Sequence, residues 1–221
     1  MILRTLLSLT IALQAQPTTR AQAQPLDEAR PAIGRLNYAG FRNRQHCTAA
    51  LIGPSEVLTA KHCVDGLAPG NLHVVLGYDG GAYSEHMRVR AVQSAQTADI
   101  ARLCLERSSV AEPLPSVAAD AEPQGRLVGL VDLIGYPRSR AHRQQRQRCA
   151  VTAEDGTAAR LDCPAEPGMS GAPVLSDGRL VGVMSATAAE TSVMMLLAAL
   201  PPGGCDAEVT GADGRRVGDR P

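Results

Sequence analysis

Aromatic side chains are scarce in this sequence: its 221 residues include one Phe, four Tyr and no Trp. A core must therefore be assembled from Leu, Val, Ile, Ala and Met. Stacking platforms for single-stranded nucleic acid need aromatic faces, so that class of function is disfavoured. An excess of charge of one sign is also lacking, because 22 basic residues offset 22 acidic ones. No global field draws the chain to nucleic acid or to an anionic membrane. Lysine is nearly absent: Lys61 stands alone and Arg supplies the other basic residues, which reads as a compositional bias. After residue 23 no apolar run approaches the length of a bilayer span, and the most apolar later stretch, Val193 to Leu200, is far shorter. The sequence has no C-x-x-C, which argues against a redox or zinc-knuckle site.

The N-terminus has the pattern of an export signal. Ile2 to Leu13 is mostly apolar, Arg4 supplies a positive flank, and Ala21-Gln22-Ala23 is a small-x-small cleavage site. Residues 1–23 are expected to be removed near Ala23, leaving a secreted or periplasmic protein without a membrane anchor. In an oxidising compartment the six cysteines can form up to three disulfides. His46-Cys47 and His62-Cys63 repeat a His-Cys pair that invites a metal reading, but their surroundings have a better explanation, and no metal is expected.

A polar, Pro-containing leader covers residues 24–32. From Ile33 onward, short Val- and Leu-rich runs alternate with Gly, Pro and Asp. Examples are Ala49 to Ile52, Leu72 to Leu76, Met87 to Val92, Leu127 to Ile134 and Leu180 to Met184. Such runs favour strands, and many of them without long helical patterns between indicate an all-β barrel or sandwich. The stretch 108–124, with Pro113, Pro115 and Pro123, reads as a connector between β units at 33–107 and 125–200. A tail at 201–221 is expected to fray apart from Cys205.

Three segments carry chemistry. Cys47 to Cys63 reads as a strand, a Gly53-Pro54 turn and a second strand ending at His62. Two cysteines this close can staple the hairpin and fix where the imidazole points, a closure worth about 3 kcal/mol. Ala98-Asp99-Ile100-Ala101 puts a carboxylate at the start of a strand, where a half-buried acid needs donors such as an imidazole N–H. Cys163 to Val174 holds Gly168-Met169-Ser170-Gly171-Ala172-Pro173, a serine in a glycine-flanked turn before an apolar strand. The amides of Gly168 and Ser170 can converge there as an oxyanion hole. Ala172 breaks the G-x-S-x-G pattern of α/β-hydrolases, and the order His, Asp, Ser differs from theirs.

In that order the three blocks resemble the trypsin/chymotrypsin superfamily, over roughly Ile33 to Ala186. Gly135-Tyr136-Pro137 with Cys149 and Cys163 resembles compact bacterial members related to glutamyl endopeptidases. The resemblance implies two Greek-key six-stranded β-barrels with the active site in the cleft between them. It implies a serine endopeptidase acting through an acyl-enzyme, with Ser170 as nucleophile, His62 as general acid/base and Asp99 orienting His62. Ser185 falls where the family places a serine that supports the Asp. No cofactor is implied, the partner is a protein or peptide substrate, and a monomer is expected. Cys149–Cys163 is favoured by proximity and resemblance, and Cys104–Cys205 follows by exclusion.

Several residues depart from the pattern. Met169 replaces the acid that pairs with a freshly cut N-terminus in pancreatic members, so that activation switch should be absent. Lys61 places an ammonium before His62, which would depress its basicity if the charge lies close, but a side chain extended into solvent is the favoured reading. The specificity pocket should be walled by Pro164 to Pro167 and Met184 to Thr187, with Pro164, Ala165, Met184 and Ala186 as lining candidates. These residues favour a small or aliphatic substrate side chain. Arg138 to Arg148, with five arginines and His142, reads as a solvated loop, with recognition of an acidic substrate region as the alternative. Two other functions fit the same residues: a catalytically silent protease-fold binding protein, or an esterase using the same triad.

Overall fold

The computed structural model describes residues 24–25, 30–38, 46–117, 127–188 and 190–205. The first barrel contains β2 (Ile33–Tyr38), β3 (His46–Gly53), β4 (Glu56–Thr59), β5 (Leu72–Leu76), β6 (Glu85–Ser94) and β7 (Ala101–Leu105). They close in the order β2-β3-β4-β7-β6-β5. The second barrel contains β8 (Gly129–Gly135), β9 (Gln145–Glu154), β10 (Ala158–Leu161), β11 (Pro173–Ser176), β12 (Arg179–Ala188) and β13 (Thr191–Leu196). Its order β8-β9-β10-β13-β12-β11 returns to β8, so it closes with the same connectivity as the first. A short β1 (Gln24–Pro25) pairs with Gln145 and Arg146 on the outside of the second barrel. The only helices among the described residues are 3-10 turns. The architecture is the all-β, two-barrel fold of chymotrypsin-like proteins.

Alternation explains the strands. In β6, Glu85, Met87 and Val89 face inward while His86, Arg88 and Arg90 face outward. Such a half-buried strand needs no aromatic residue, and Leu, Val, Ile and Ala fill the first barrel almost alone. The second barrel adds the sulfur side chains of Met169, Met184 and Met194 to Val131, Leu133, Leu161 and Val174. Thioethers fill irregular gaps where Phe and Trp are lacking.

The barrels are bound to each other by buried polar contacts. Tyr136, at the end of β8, is fully buried and donates its hydroxyl to the Tyr78 carbonyl at 2.8 Å. Gln144 donates to the Tyr136 hydroxyl at 2.8 Å and to the carbonyls of Arg30 and Ile33 at 3.0 and 3.1 Å. The connector leaves the first barrel through the carboxylate of Glu85, which takes bonds from Arg107 at 2.8 Å, the Val110 amide at 3.1 Å and the Ser109 hydroxyl. It arrives on the second barrel as a bridge between Ser116 and Leu180.

The chain then returns to the first barrel. Arg102 donates to Pro201 O at 3.3 Å, Arg90 donates to Cys205 O at 2.6 Å, and the Cys205 amide donates to Glu56 at 2.6 Å. Cys205 is held as expected, and Pro201 and Gly204 are held with it, where fraying was expected. Both the export signal (1–23) and the rest of the tail (206–221) lie outside the described residues, as do residues 26–29 of the leader and residues 118–124 of the connector. Three disulfides join Cys47 to Cys63, Cys149 to Cys163 and Cys104 to Cys205.

Candidate active site

His62 does not end a strand. The chain leaves β4 at Thr59 and enters a 3-10 turn, Lys61–Cys63, closed by bonds from Cys63 N to Ala60 O and from Val64 N to Lys61 O. Val64 is buried beneath the turn and Cys63 is stapled to Cys47 on β3, so the imidazole emerges from an anchored base. Asp99 lies in the tight connection between β6 and β7, with its neighbour Ile100 fully buried. Ser185 is the extra residue of a β-bulge in β12, where the register shifts between Met184 and Ala186. A bulge re-aims a side chain that regular pleating would point elsewhere.

These three residues meet. Asp99 Oδ2 accepts from His62 Nδ1 at 2.7 Å and from the Ser185 hydroxyl at 2.6 Å, while Oδ1 accepts from the His62 amide at 2.8 Å. An ionised carboxylate can only accept, so Nδ1 carries the proton and Nε2 is left with its lone pair. Burial alone would raise the pKa of Asp99. Hydrogen bonds from the His62 ring, Ser185 and the His62 amide outweigh it and hold the carboxyl below its ordinary value. In return the hydrogen bond to Asp99 raises His62 above its ordinary value against partial desolvation, with Asp99 and Asp65 adding their fields. The direction is upward, so an ammonium at Lys61 does not decide the basicity of His62.

Ser170 occupies the turn before β11, half-exposed between buried Met169 and Gly171. Gly168 and Gly171 have φ of +97° and +79°, conformations that L side chains rarely adopt. A Cβ on Gly168 would collide with the Tyr136 carbonyl, and one on Gly171 with the Thr48 carbonyl and the Thr59 hydroxyl. The turn is therefore pressed against the first barrel, beside the residues that lead into His62. Among the described residues, the amides of Gly168 and Ser170 donate to no protein acceptor.

The candidate pocket residues divide. Ala186 and Thr187 are exposed and Pro164 is partly so, whereas Ala165 and Met184 are buried. Met184 packs in the second core and touches the site through its backbone, bonding Gly171 N and Ala172 O. Thr187 was not among the lining candidates, yet its hydroxyl accepts from the Ala165 amide at 3.2 Å and ties the two walls together. In the Arg138–Arg148 segment, Arg146 and Arg148 pair with Asp132 at 2.6 and 3.1 Å, and Arg143 pairs with Asp79 at 3.1 Å. His142 Nδ1 bonds the Tyr78 hydroxyl at 2.7 Å. His142 and Arg143 thus reach the first barrel and Arg146 and Arg148 pair within the second, while Arg138, Arg140, Arg143 and Arg148 stay exposed, as the solvated-loop reading expects.

Cys47, His62 and Cys63 are the one group of three metal-ligand types found close together among the described residues. Both sulfurs belong to a disulfide, so the group cannot coordinate as a Cys-His-Cys site.

A two-barrel fold that carries an imidazole bonded to a carboxylate, and a glycine-flanked serine turn packed against the strand leading to that imidazole, suggests a class, and the sequence places the chain in it. Residues 47–183 match the Trypsin-like peptidase domain, and the chain belongs to the trypsin-like peptidase family. No curated protein matches the chain by sequence. Among solved structures, the VesB protease of Vibrio cholerae is similar with a TM-score of 0.67 and 16% identity, covering 80% of this chain and 64% of that one. The secreted serine protease VesC of Vibrio cholerae gives a TM-score of 0.67 at 18% identity, covering 80% of this chain and 46% of that one. The present chain thus spans less than two thirds of either. A Glu endopeptidase in complex with MPD, with a TM-score of 0.67 and 18% identity, is matched over 81% of this chain and 92% of its own.

Proposed function

We propose that the protein is an exported serine endopeptidase in which Ser170 attacks the peptide carbonyl and His62 takes its proton. The observation that carries this reading is the triple hydrogen bonding of Asp99, which fixes the His62 tautomer and leaves Nε2 as the proton acceptor. Asp99 remains ionised and stabilises the imidazolium as it forms. His62 then returns the proton to the leaving amine, and water hydrolyses the acyl-enzyme by the same route. The uncommitted amides of Gly168 and Ser170 receive the developing oxyanion, each worth about 3–4 kcal/mol. No step requires a metal or organic cofactor. The disulfides suit an extracellular or periplasmic site of action. Among the described residues no helix is long and apolar enough to cross a membrane. The protein is expected to act as a monomer.

Of the lining candidates Pro164 and Ala186 are accessible, and neither carries a charge to pair with a charged substrate side chain. A small or aliphatic residue before the scissile bond fits better than a long charged one.

A fluorophosphonate probe should label the wild type and not Ser170→Ala, and a peptide library should be cleaved after small or aliphatic residues. A folded but probe-silent protein would favour a catalytically inert binding protein. Labelling with ester but no peptide cleavage would favour an esterase. Cleavage led by Arg, Lys or Glu would refute the pocket assignment.

A further inference from the structure

The nucleophile turn lacks the acid that would let a charged N-terminus order it: Met169 stands before Ser170, its side chain buried in the second core. Something else must hold the oxyanion amides in place, and the carbonyls of the turn show what does. A trans peptide points its carbonyl and the following N–H in opposite directions, so anchoring one aims the other. Four successive carbonyls are anchored. Pro167 O accepts from Arg138 N at 2.7 Å, Met169 O from Ala172 N at 2.9 Å, Ser170 O from Thr48 N at 2.8 Å, and Gly168 O from the Thr48 hydroxyl at 2.8 Å. The first two aim the amides of Gly168 and Ser170. The other two come from one residue of the opposite barrel.

Thr48 lies fully buried on β3. Its hydroxyl has one proton, and Tyr136 N donates into the oxygen at 3.1 Å, so that proton is committed to Gly168 O. The Thr48 carbonyl is held in turn by the Thr59 hydroxyl at 2.8 Å. Of the four anchors, the Thr48 hydroxyl is the single side chain. It acts on the glycine whose positive φ leaves its backbone least constrained.

We infer that Thr48 is the positioning residue that keeps the oxyanion turn in its working conformation, replacing an N-terminal ion pair with an uncharged clamp from the first barrel. The inference rests on the serine-peptidase reading. It implies that the turn is formed whenever the two barrels are docked, without a charged N-terminus.

The test compares Thr48→Val, which keeps the shape and removes the hydroxyl, with Thr48→Ser, which keeps the hydroxyl. Misplacing an oxyanion donor should lower kcat by about 100-fold in Thr48→Val with little change in KM. Binding of a peptide boronic acid, which places a tetrahedral oxyanion in the hole, should weaken in parallel. The pH at which kcat/KM falls on the acid side should not move, because the His62–Asp99 pair is untouched. Thr48→Ser should restore kcat to near wild type. If Thr48→Val does not fold, Thr48→Ala is read by the same kcat-against-KM split. The inference fails if the wild type cleaves peptides and the folded hydroxyl-free variant matches it, or if the Ser and Val variants lose activity alike. A wild type that neither cleaves peptides nor takes the fluorophosphonate overturns the peptidase reading and this inference with it.

Discussion

Asp99 is half-buried, and burial disfavours its charged form; three donors reverse that balance. The direction of each shift sets a pH dependence. His62 must be neutral to accept the proton, and Asp99 raises its pKa, so activity should fall as pH drops through a value above 6.5. Asp99→Asn keeps the shape but can present its amide N–H₂ to Nδ1, favouring the wrong tautomer. It should lower kcat by about 10⁴-fold and move the acid limb of the kcat/KM profile downward. A limb that stays in place would mean another group sets it. Stability follows the opposite partner for each residue. The contribution of Asp99, whose folded pKa is depressed, is present above the ordinary carboxylate range and lost as pH falls through the folded value. That of His62, whose folded pKa is raised, is present below 6.5 and lost as pH rises through its folded value.

At the scale of elements, alternation made most strands legible in the sequence. The runs at Leu72 to Leu76 and Met87 to Val92 fall on β5 and β6, and that at Leu180 to Met184 on β12. The short β10, Ala158–Leu161, carries only two buried residues and gave no comparable signal. The segments carrying His62, Asp99 and Ser185 were legible because their residue types are chemically pointed and have recognisable neighbours. Thr48 was not, because a threonine in a strand looks like any other, and Thr187 was placed in a pocket wall without its bond to Ala165 being foreseen. The partners of Thr48, Tyr136 and Gly168, lie 88 and 120 positions away. The connector offers a test at this scale. Glu85 is a buried acid on the inner face of β6 with Arg107, Ser109 and Val110 gathered on it. Glu85→Gln removes the charge and strands some of those donors. It should cost about 2 kcal/mol by chemical denaturation and leave the acid limb of the pH–activity profile unchanged.

At the scale of the whole molecule, the barrels share one connectivity without a visible internal repeat in the sequence, and they are joined twice. The chain passes from the first barrel to the second through the connector and comes back to it at Cys205, bonded to Cys104 across a sequence separation of 101. Loop-closure entropy for so long a loop is about 4–5 kcal/mol. Replacing both cysteines, Cys104→Ser with Cys205→Ser, should therefore lower the thermal midpoint more than the same change at Cys149 and Cys163, whose loop is far shorter. An equal loss would assign the stabilisation to local packing instead. The double joining also bears on how a peptide reaches Ser170. Parting the barrels would have to break the Tyr136 and Gln144 bonds between them as well as the ties that hold residues 201–205 to the first barrel. On the proposed function, a substrate would then meet a site already assembled between two barrels that are tied together at more than one place.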